Sequence, residues 1–293
     1  MKKFIIGFFT FISSFSIIFT ILYLNPGVSL PNIPPANTKI SKEKNLSWLS
    51  RAALDFYFDI NILCKADAGY VAIIAKNGQI IHATAKGMAD IENHIPMNTK
   101  TRFRIASMTK PITAVATLIL IEEGKLKLND PIEKYLPLAS QISVALPKNQ
   151  ITDNTFATEP LKRSITILDL LTFSSGAGYN DSVDHKGQSK LANLWAENDI
   201  YDGFGSLEER VNKIMKLPFF EQPGERWRYG WSTDILARVI EVVSQKPFSE
   251  FLEEKIFSPL DMDDTNFLSQ ENKANEIAEV YSRNGAFNLT LVE

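Results

Sequence analysis

Cysteine is almost absent from this chain, which excludes a fold held together by disulfides. Cys64 is the single cysteine among 293 residues, so no intrachain disulfide can form. Because Cys64 lies among apolar residues, we interpret it as a small core side chain rather than a nucleophile or a lipid attachment site. Stability must then come from a packed core, and the length is ample for one large domain of two lobes.

Histidine and runs of basic residues are also scarce. The three histidines, His82, His94 and His185, are scattered without the spacing of metal ligands, and His82 falls inside a strand pattern typical of a structural residue. The net charge is −3, and no basic run is interleaved with aromatic residues. The sequence therefore indicates neither a metal site nor a nucleic-acid partner.

The N-terminus carries the one long apolar segment. Lys2 and Lys3 precede an uncharged stretch that ends near Leu24, and no convincing small-residue cleavage site follows. Residues 1–24 therefore predict a membrane anchor or a signal segment, with an uncleaved anchor favoured. The four prolines within 25–44 predict an extended tether. We expect the domain to lie outside the cytoplasm, periplasmic or extracellular, and to be secreted if the segment is cleaved.

A serine and a lysine three residues apart stand before a nearly apolar stretch. In a helix, Ser107 and Lys110 share one face, which places an amine beside a hydroxyl. Residues 111–121 predict a buried helix, with Gly124 as its stop signal and Pro111 causing a slightly irregular start. The tetrapeptide alone is common by chance, so its meaning depends on the rest of the chain.

Motifs along the chain supply that context. They are Phe103-Arg104-Ile105-Ala106-Ser107-Met108-Thr109-Lys110, Glu122-Glu123-Gly124-Lys125-Leu126, Asn129-Asp130-Pro131-Ile132-Glu133, Ile165-Thr166-Ile167-Leu168-Asp169-Leu170-Leu171-Thr172, Gln222-Pro223-Gly224-Glu225 and Trp227-Arg228-Tyr229-Gly230-Trp231-Ser232. Over roughly residues 70–285, the chain resembles the serine β-lactamase-related family, which holds class C β-lactamases, D-Ala-D-Ala carboxypeptidases and lactamase-like esterases. The resemblance implies an α+β fold of the β-lactamase/transpeptidase type over 45–293, with an antiparallel sheet packed by helices plus a helical lobe.

The resemblance also implies roles for three residues. Ser107 would attack a carbonyl and form an acyl-enzyme, Lys110 would accept or share its proton, and Tyr229 would act with Lys110 as the general base. The resemblance implies chemistry without a metal or a cofactor. Tyr229 follows a Pro-Gly turn and precedes a helix that Ser232 could cap, which favours a site residue over an ordinary half-buried aromatic.

One departure from the family pattern concerns substrate. Trp231 stands where lactamases and carboxypeptidases carry an asparagine that helps to hold the substrate's amide. Because indole offers one donor and a broad apolar face, Trp231 as a substrate-binding residue favours ester or acyl substrates over β-lactams. The function expected from the resemblance is hydrolysis of esters or cell-wall-type peptides through an acyl-serine, with β-lactams placed last. A wall residue without substrate contact is the open alternative.

A second departure is the lack of the family's third motif, commonly K-T-G or H-x-G, between Trp231 and Glu293. We therefore expect a member shortened at its C-terminus, without the strand that supplies a second oxyanion donor. Two alternatives to a hydrolase stay open. One is a catalytically silent homologue that binds peptidoglycan or a partner, and the other is a non-functional fragment.

The remaining patterns predict secondary structure. Residues 46–63 predict a helix that packs on a sheet, and 70–85 predict a hairpin around Asn77-Gly78. Residues 107–261 are expected to be mostly helical, with loops near 140–163 and 177–206. The second loop either borders the site or is solvated. An amphipathic core stripe is predicted at Ile235, Leu236, Val239, Ile240 and Val243.

Overall fold

The computed structural model describes residues 47–146, 157–179, 190–198, 200, 205–267, 277–284 and 288–292. They form two compact units, the first from the residues up to 104 together with those from 277 onward, and the second from 105–267. The predicted N-terminal segment and tether lie outside the described residues. Within the described ranges, no helix is both long and apolar enough to cross a bilayer.

Helices and short antiparallel sheets make up the described chain, which confirms the predicted α+β class. In chain order the elements are α1 (Trp48–Leu63), β1 (Gly69–Lys76), β2 (Gln79–Asp90), β3 (Ile95–Pro96), α2 (Thr109–Glu122), β4 (Ser143–Ala145), β5 (Thr158–Pro160), α3 (Ile167–Leu171), α4 (Lys190–Glu197), α5 (Leu207–Lys216), α6 (Ser232–Ser244), α7 (Phe248–Leu252), β6 (Tyr281–Arg283) and β7 (Leu289–Leu291).

The first unit is built on an antiparallel sheet of order β1-β2-β3, with β6 and β7 paired antiparallel to each other. Asn77 and Gly78 have φ of 52° and 72°, the two positive values that a tight two-residue hairpin turn requires, and the predicted hairpin is confirmed. Helix α1 packs on this sheet as predicted. The Phe58 ring stacks on Tyr70 with centroids 3.9 Å apart.

The second unit is mainly helical, and its core surrounds α6. The predicted stripe is confirmed, because Ile235, Leu236, Val239 and Ile240 are fully buried in this helix and Val243 is half-buried against the same core. Helix α2 packs against α6. This pairing fixes the positions of the two segments that carry the candidate site.

The expectation that α2 is a fully buried helix is wrong. The helix is not buried all round, because Val115 and Leu118 remain 48% and 51% exposed among the described residues. Its buried face instead contains Thr113 and Thr117, whose hydroxyls donate to the carbonyls four residues earlier at 3.0 and 2.9 Å. The hydroxyls are satisfied by the helix itself, so burial on that side costs little.

A second correction concerns the predicted loop near 140–163. Strands β4 and β5 form an antiparallel pair there, and the backbone N–H of Phe219 donates to the carbonyl of Ser143 at 2.8 Å. Each strand has three residues, which is too short for an alternating pattern to be recognised in sequence.

A buried carboxylate holds the N-terminus of α3. Asp169 accepts two hydrogen bonds from the guanidinium of Arg163, at 2.6 and 2.8 Å, and further bonds from the backbone N–H and hydroxyl of Thr166. Burial raises the pKa of Asp169, but the bonds from Arg163 and Thr166 outweigh burial and hold the pKa below its usual range. The carboxylate is therefore charged and fully paired at neutral pH.

We expect Asp169→Ala to lower the free energy of unfolding by about 3 kcal/mol, because it leaves Arg163 and the α3 N-terminus without their acceptor. Since the native pKa is lowered, this stabilisation is present at neutral pH and is lost as the pH falls below about 4. Denaturant unfolding at two pH values measures both effects. Lys162→Ala, which removes a mostly exposed ion pair, should change stability by less than about 0.5 kcal/mol; an equal loss in the two variants would contradict the assignment.

Candidate active site

Ser107 lies in a single 3-10 turn, Ala106–Met108, that leads into α2. Ala106 has φ of 42°, a left-handed conformation that alanine rarely adopts. Such strain is retained mainly where the surroundings impose it, and it is frequent at functional sites. The irregular start predicted for the helix is present, and Ser107 is exposed among the described residues.

Lys110 occupies the first turn of α2 and points back to the serine. Its Nζ donates to Ser107 Oγ at 3.2 Å. The following Pro111 does not disturb this turn, because the first N–H groups of a helix have no intrahelical acceptor. The amine beside the hydroxyl is therefore in the place that the three-residue spacing predicts.

Tyr229 reaches the same oxygen from a distant part of the sequence. Its Oη donates to Ser107 Oγ at 2.5 Å, across 122 residues of chain. The Lys110 Nζ also lies 4.7 Å from the centroid of the Tyr229 ring, within the range of a cation–π interaction. The structure thus brings together the three residues that the sequence singled out for catalysis.

The segment that carries Tyr229 is fixed by backbone contacts on both sides. The N–H of Arg228 donates to the carbonyl of Phe173 at 2.7 Å, and the N–H of Trp231 donates to the carbonyl of Ala177 at 3.1 Å. The Phe173 ring stacks on Tyr229 at 5.6 Å, with 16° between the ring planes. The phenol is therefore held in place before any substrate arrives.

Gly230 permits this close approach of two backbone segments. A Cβ at Gly230 would lie 2.1 Å from the carbonyl oxygen of Ala177 and 2.6 Å from the Cα of Gly178. No side chain can be added there without moving the segment.

The electrostatics of the site favour ionisation of the phenol. The hydrogen bond with Ser107 lowers the pKa of Tyr229 below its ordinary value, and the neighbouring Lys110 lowers it further. Burial and the charge of Asp234 act in the opposite direction but do not cancel the effect. A phenolate at this position can accept a proton from the serine hydroxyl.

The structure buries two residues that follow Tyr229. Trp231, predicted to bind substrate, lies in the core with 4% of its surface exposed, so its substrate contact stays a prediction. Ser232 does not cap α6; Trp231 takes the N-cap position, and Ser232 is buried with its hydroxyl 2.9 Å from that of Ser175. The burial of both side chains follows from the close packing of this segment on Ala177.

Tyr179 and Asp234 lie near Lys110, and the sequence analysis assigns a catalytic role to neither of them. The Lys110 Nζ lies 5.7 Å from the Tyr179 ring centroid, and Tyr179 packs edge-on against Trp231 at 4.8 Å. This tyrosine of the predicted loop near 177–206 therefore borders the site. The loop prediction is wrong over Lys190–Glu197, which form α4, and residues 180–189 lie outside the described residues. The sequence signal for Asp234 is an acidic residue in the first turn of a helix whose next residues, Ile235, Leu236 and Ala237, are apolar.

No group of three His, Cys, Asp or Glu side chains that could hold a metal ion occurs among the described residues. His82 is buried within β2, in keeping with its interpretation as a structural residue.

Comparison with known proteins places this geometry in a family. Esterase EstB of Burkholderia gladioli is 32% identical over 230 residues, which cover 75% of this chain and 52% of that protein. Protein flp of Staphylococcus aureus strain MRSA252 is 26% identical over 219 residues, 74% of this chain and 38% of that protein. The chain thus spans about half of EstB and less of flp.

Two solved structures share the fold. EstCE1, a hydrolase with promiscuous acyltransferase activity, superposes with a TM-score of 0.69 at 24% identity, over 83% of this chain and 59% of that chain. The octameric penicillin-binding protein homologue from Pyrococcus abyssi gives a TM-score of 0.63 at 25% identity, over 82% and 50%. The family model described as Beta-lactamase matches residues 62–290, and the chain belongs to that family.

Proposed function

We propose that this chain is a serine hydrolase that cleaves ester or acyl substrates through an acyl intermediate on Ser107. The observation that carries the proposal is the meeting of Lys110 Nζ and Tyr229 Oη at the single Oγ of Ser107. The names of two similar proteins, an esterase and a hydrolase with acyltransferase activity, support the same reaction class.

The first half-reaction forms the acyl-enzyme. Tyr229, as phenolate, takes the proton of Ser107 while Oγ attacks the carbonyl carbon of the substrate. The resulting oxyanion develops near the start of α2, where free backbone N–H groups and the helix dipole favour negative charge. The tetrahedral intermediate collapses, the bond to the leaving group breaks, and Tyr229 returns the proton to that group.

The second half-reaction repeats these steps with water. Tyr229 removes a proton from water, the hydroxide attacks the acyl carbon, and Oγ of Ser107 leaves with the proton from Tyr229. Throughout, Lys110 stays beside the phenolate and offsets its negative charge. Acceptance of an alcohol in place of water would give acyl transfer.

We infer the preferred class of substrate from Trp231. The buried indole of Trp231 offers no carboxamide at the position where lactamases carry asparagine. We therefore place esters first, cell-wall-type peptides second and β-lactams last. The location outside the cytoplasm, through an anchor at 1–24 or after its cleavage, stays a prediction.

A fluorophosphonate should label the folded chain on Ser107, because an activated hydroxyl displaces its leaving group. Ser107→Ala should lose all labelling, and Tyr229→Phe should lower kcat/KM for a short-chain nitrophenyl ester by about 10²- to 10⁴-fold. The exposed Ser249→Ala and Tyr57→Phe serve as controls and should behave as wild type. Wild-type protein that binds a wall peptide without labelling or turnover would favour the silent homologue instead.

The pH dependence tests the assignment of Tyr229 as base. Because the phenolate is the active form, kcat/KM should rise with pH, and the midpoint of this rise should lie below pH 10, since the pKa of Tyr229 is lowered from 10.0. Lys110→Met removes a cation that lowers this pKa, so the rising limb should move to higher pH. Lys216→Met, at an exposed site on α5, should leave the pH midpoint of the rise in kcat/KM unchanged. A midpoint that moves to lower pH in Lys110→Met would refute the assignment of Tyr229 as the base.

Gly230→Ala tests whether the backbone contact positions the phenol. Since the new Cβ would lie 2.1 Å from the carbonyl oxygen of Ala177, the segment must move and carry Tyr229 away from Ser107. We expect kcat/KM to fall by about 100-fold. The matched control is Gly124→Ala, whose Cβ meets nothing within 4 Å, and which should lose stability through its positive φ but keep its activity. Equal activity in both variants would show that Tyr229 does not depend on this contact.

A further inference from the structure

A cavity of about 370 Å³ lies between α2, α5 and α6 in the second unit. Lys110 and Thr113 line it from α2, Arg210 from α5, and Thr233 and Asp234 from α6. Ser107 is not part of its lining. The cavity borders the candidate site through Lys110 and Tyr179, which are both part of its lining, and Asp234 lines the same space.

Asp234 lies close to the candidate site in the sequence. It lies in the first turn of α6, five residues after Tyr229, and it is half-buried. The free N–H groups at the start of a helix favour a carboxylate there. Because α2 packs against α6, the helix that carries Lys110 faces the helix that carries Asp234.

The charge of Asp234 is set by opposing effects. Burial raises the pKa of Asp234 to about 6, whereas the cations Lys110 and Arg210 act to lower it. The carboxylate is thus ionised above about pH 6 and neutral below it. Among the described residues that line the cavity, Lys110, Arg210 and Asp234 are the charged ones, and Tyr179 adds a phenol.

We propose that Asp234 is a positioning residue that acts through Lys110. Its carboxylate attracts the ammonium group across the cavity and holds it over the ring of Tyr229, where the ammonium stabilises the phenolate. The inference rests on the proposed function, in which that phenolate takes the proton of Ser107.

The proposal predicts the direction in which the pKa of Tyr229 changes when Asp234 is neutralised, and this direction is opposite to the one expected if Asp234 acted on Tyr229 only through its own charge. Asp234 by itself raises the pKa of Tyr229, so removing only its charge would lower that pKa. Lys110 lowers the pKa of Tyr229 more strongly than Asp234 raises it. If Asp234 holds Lys110 in place, its loss releases the cation, and the pKa of Tyr229 must rise.

The test is the tyrosinate titration of Asp234→Asn in the full chain, followed by ultraviolet difference absorbance. Subtracting the same titration in the Tyr229→Phe background isolates Tyr229. We expect its midpoint to move to higher pH, with kcat/KM lowered by about 10- to 100-fold above pH 6. Asp234→Glu keeps the charge and should bring the midpoint back toward wild type. A midpoint in Asp234→Asn that stays in place or moves down overturns the proposal.

Thermal melting separates positioning from a structural role. A carboxylate whose pKa is raised in the folded state destabilises the fold once it is ionised, so Asp234→Asn should melt no lower than wild type at pH 8. A residue that merely held the helices together would give a lower Tm with the lower activity, and that result counts against the proposal. Glu250→Gln, which removes an exposed charge on α7, should leave both the titration and the Tm unchanged.

The wild-type chain provides a test that needs no variant. Since Asp234 becomes neutral below about pH 6, log kcat/KM should fall more steeply with decreasing pH below that value than above it. A single slope through this range overturns the proposal. If wild type shows neither labelling nor turnover, the proposed function fails, whereas the tyrosinate titration needs no substrate and still decides the role of Asp234.

Discussion

Two hydrogen bonds that meet at one oxygen are the constraint on which this structure depends. Ser107 Oγ accepts from Lys110 at 3.2 Å and from Tyr229 at 2.5 Å. The first bond is local and follows from helical spacing, whereas the second joins residues 122 positions apart. The second bond can exist only if the whole second unit packs correctly, so the chemistry of the site depends on the core of that unit.

The packing of α6 provides that long-range link. Its buried stripe fixes the helix, and the segment just before it is held by backbone bonds to Phe173 and Ala177. Gly230 allows the two backbones to touch, and a stacked ring supports Tyr229 from the other side. Precise placement of a phenol thus comes from ordinary core packing and one position without a side chain.

The sequence predicts those features that local spacing determines. Helical spacing places Lys110 beside Ser107, and the pattern from Ile235 onward predicts a core helix; both are confirmed. The burial of Trp231 and the exposure of Val115 could not be predicted, because periodicity identifies an apolar side chain without showing what covers it. Asp234 was missed for a related reason, since Lys110, which lines the same cavity, lies on a different helix.

The most direct test of the account is to trap the acyl intermediate with a slowly hydrolysed activated ester and to locate the added mass by peptide mapping. The account predicts that the acyl group is found on Ser107 and forms much faster in wild type than in Tyr229→Phe. An adduct on another residue, or equal rates of acylation in the two proteins, would contradict it.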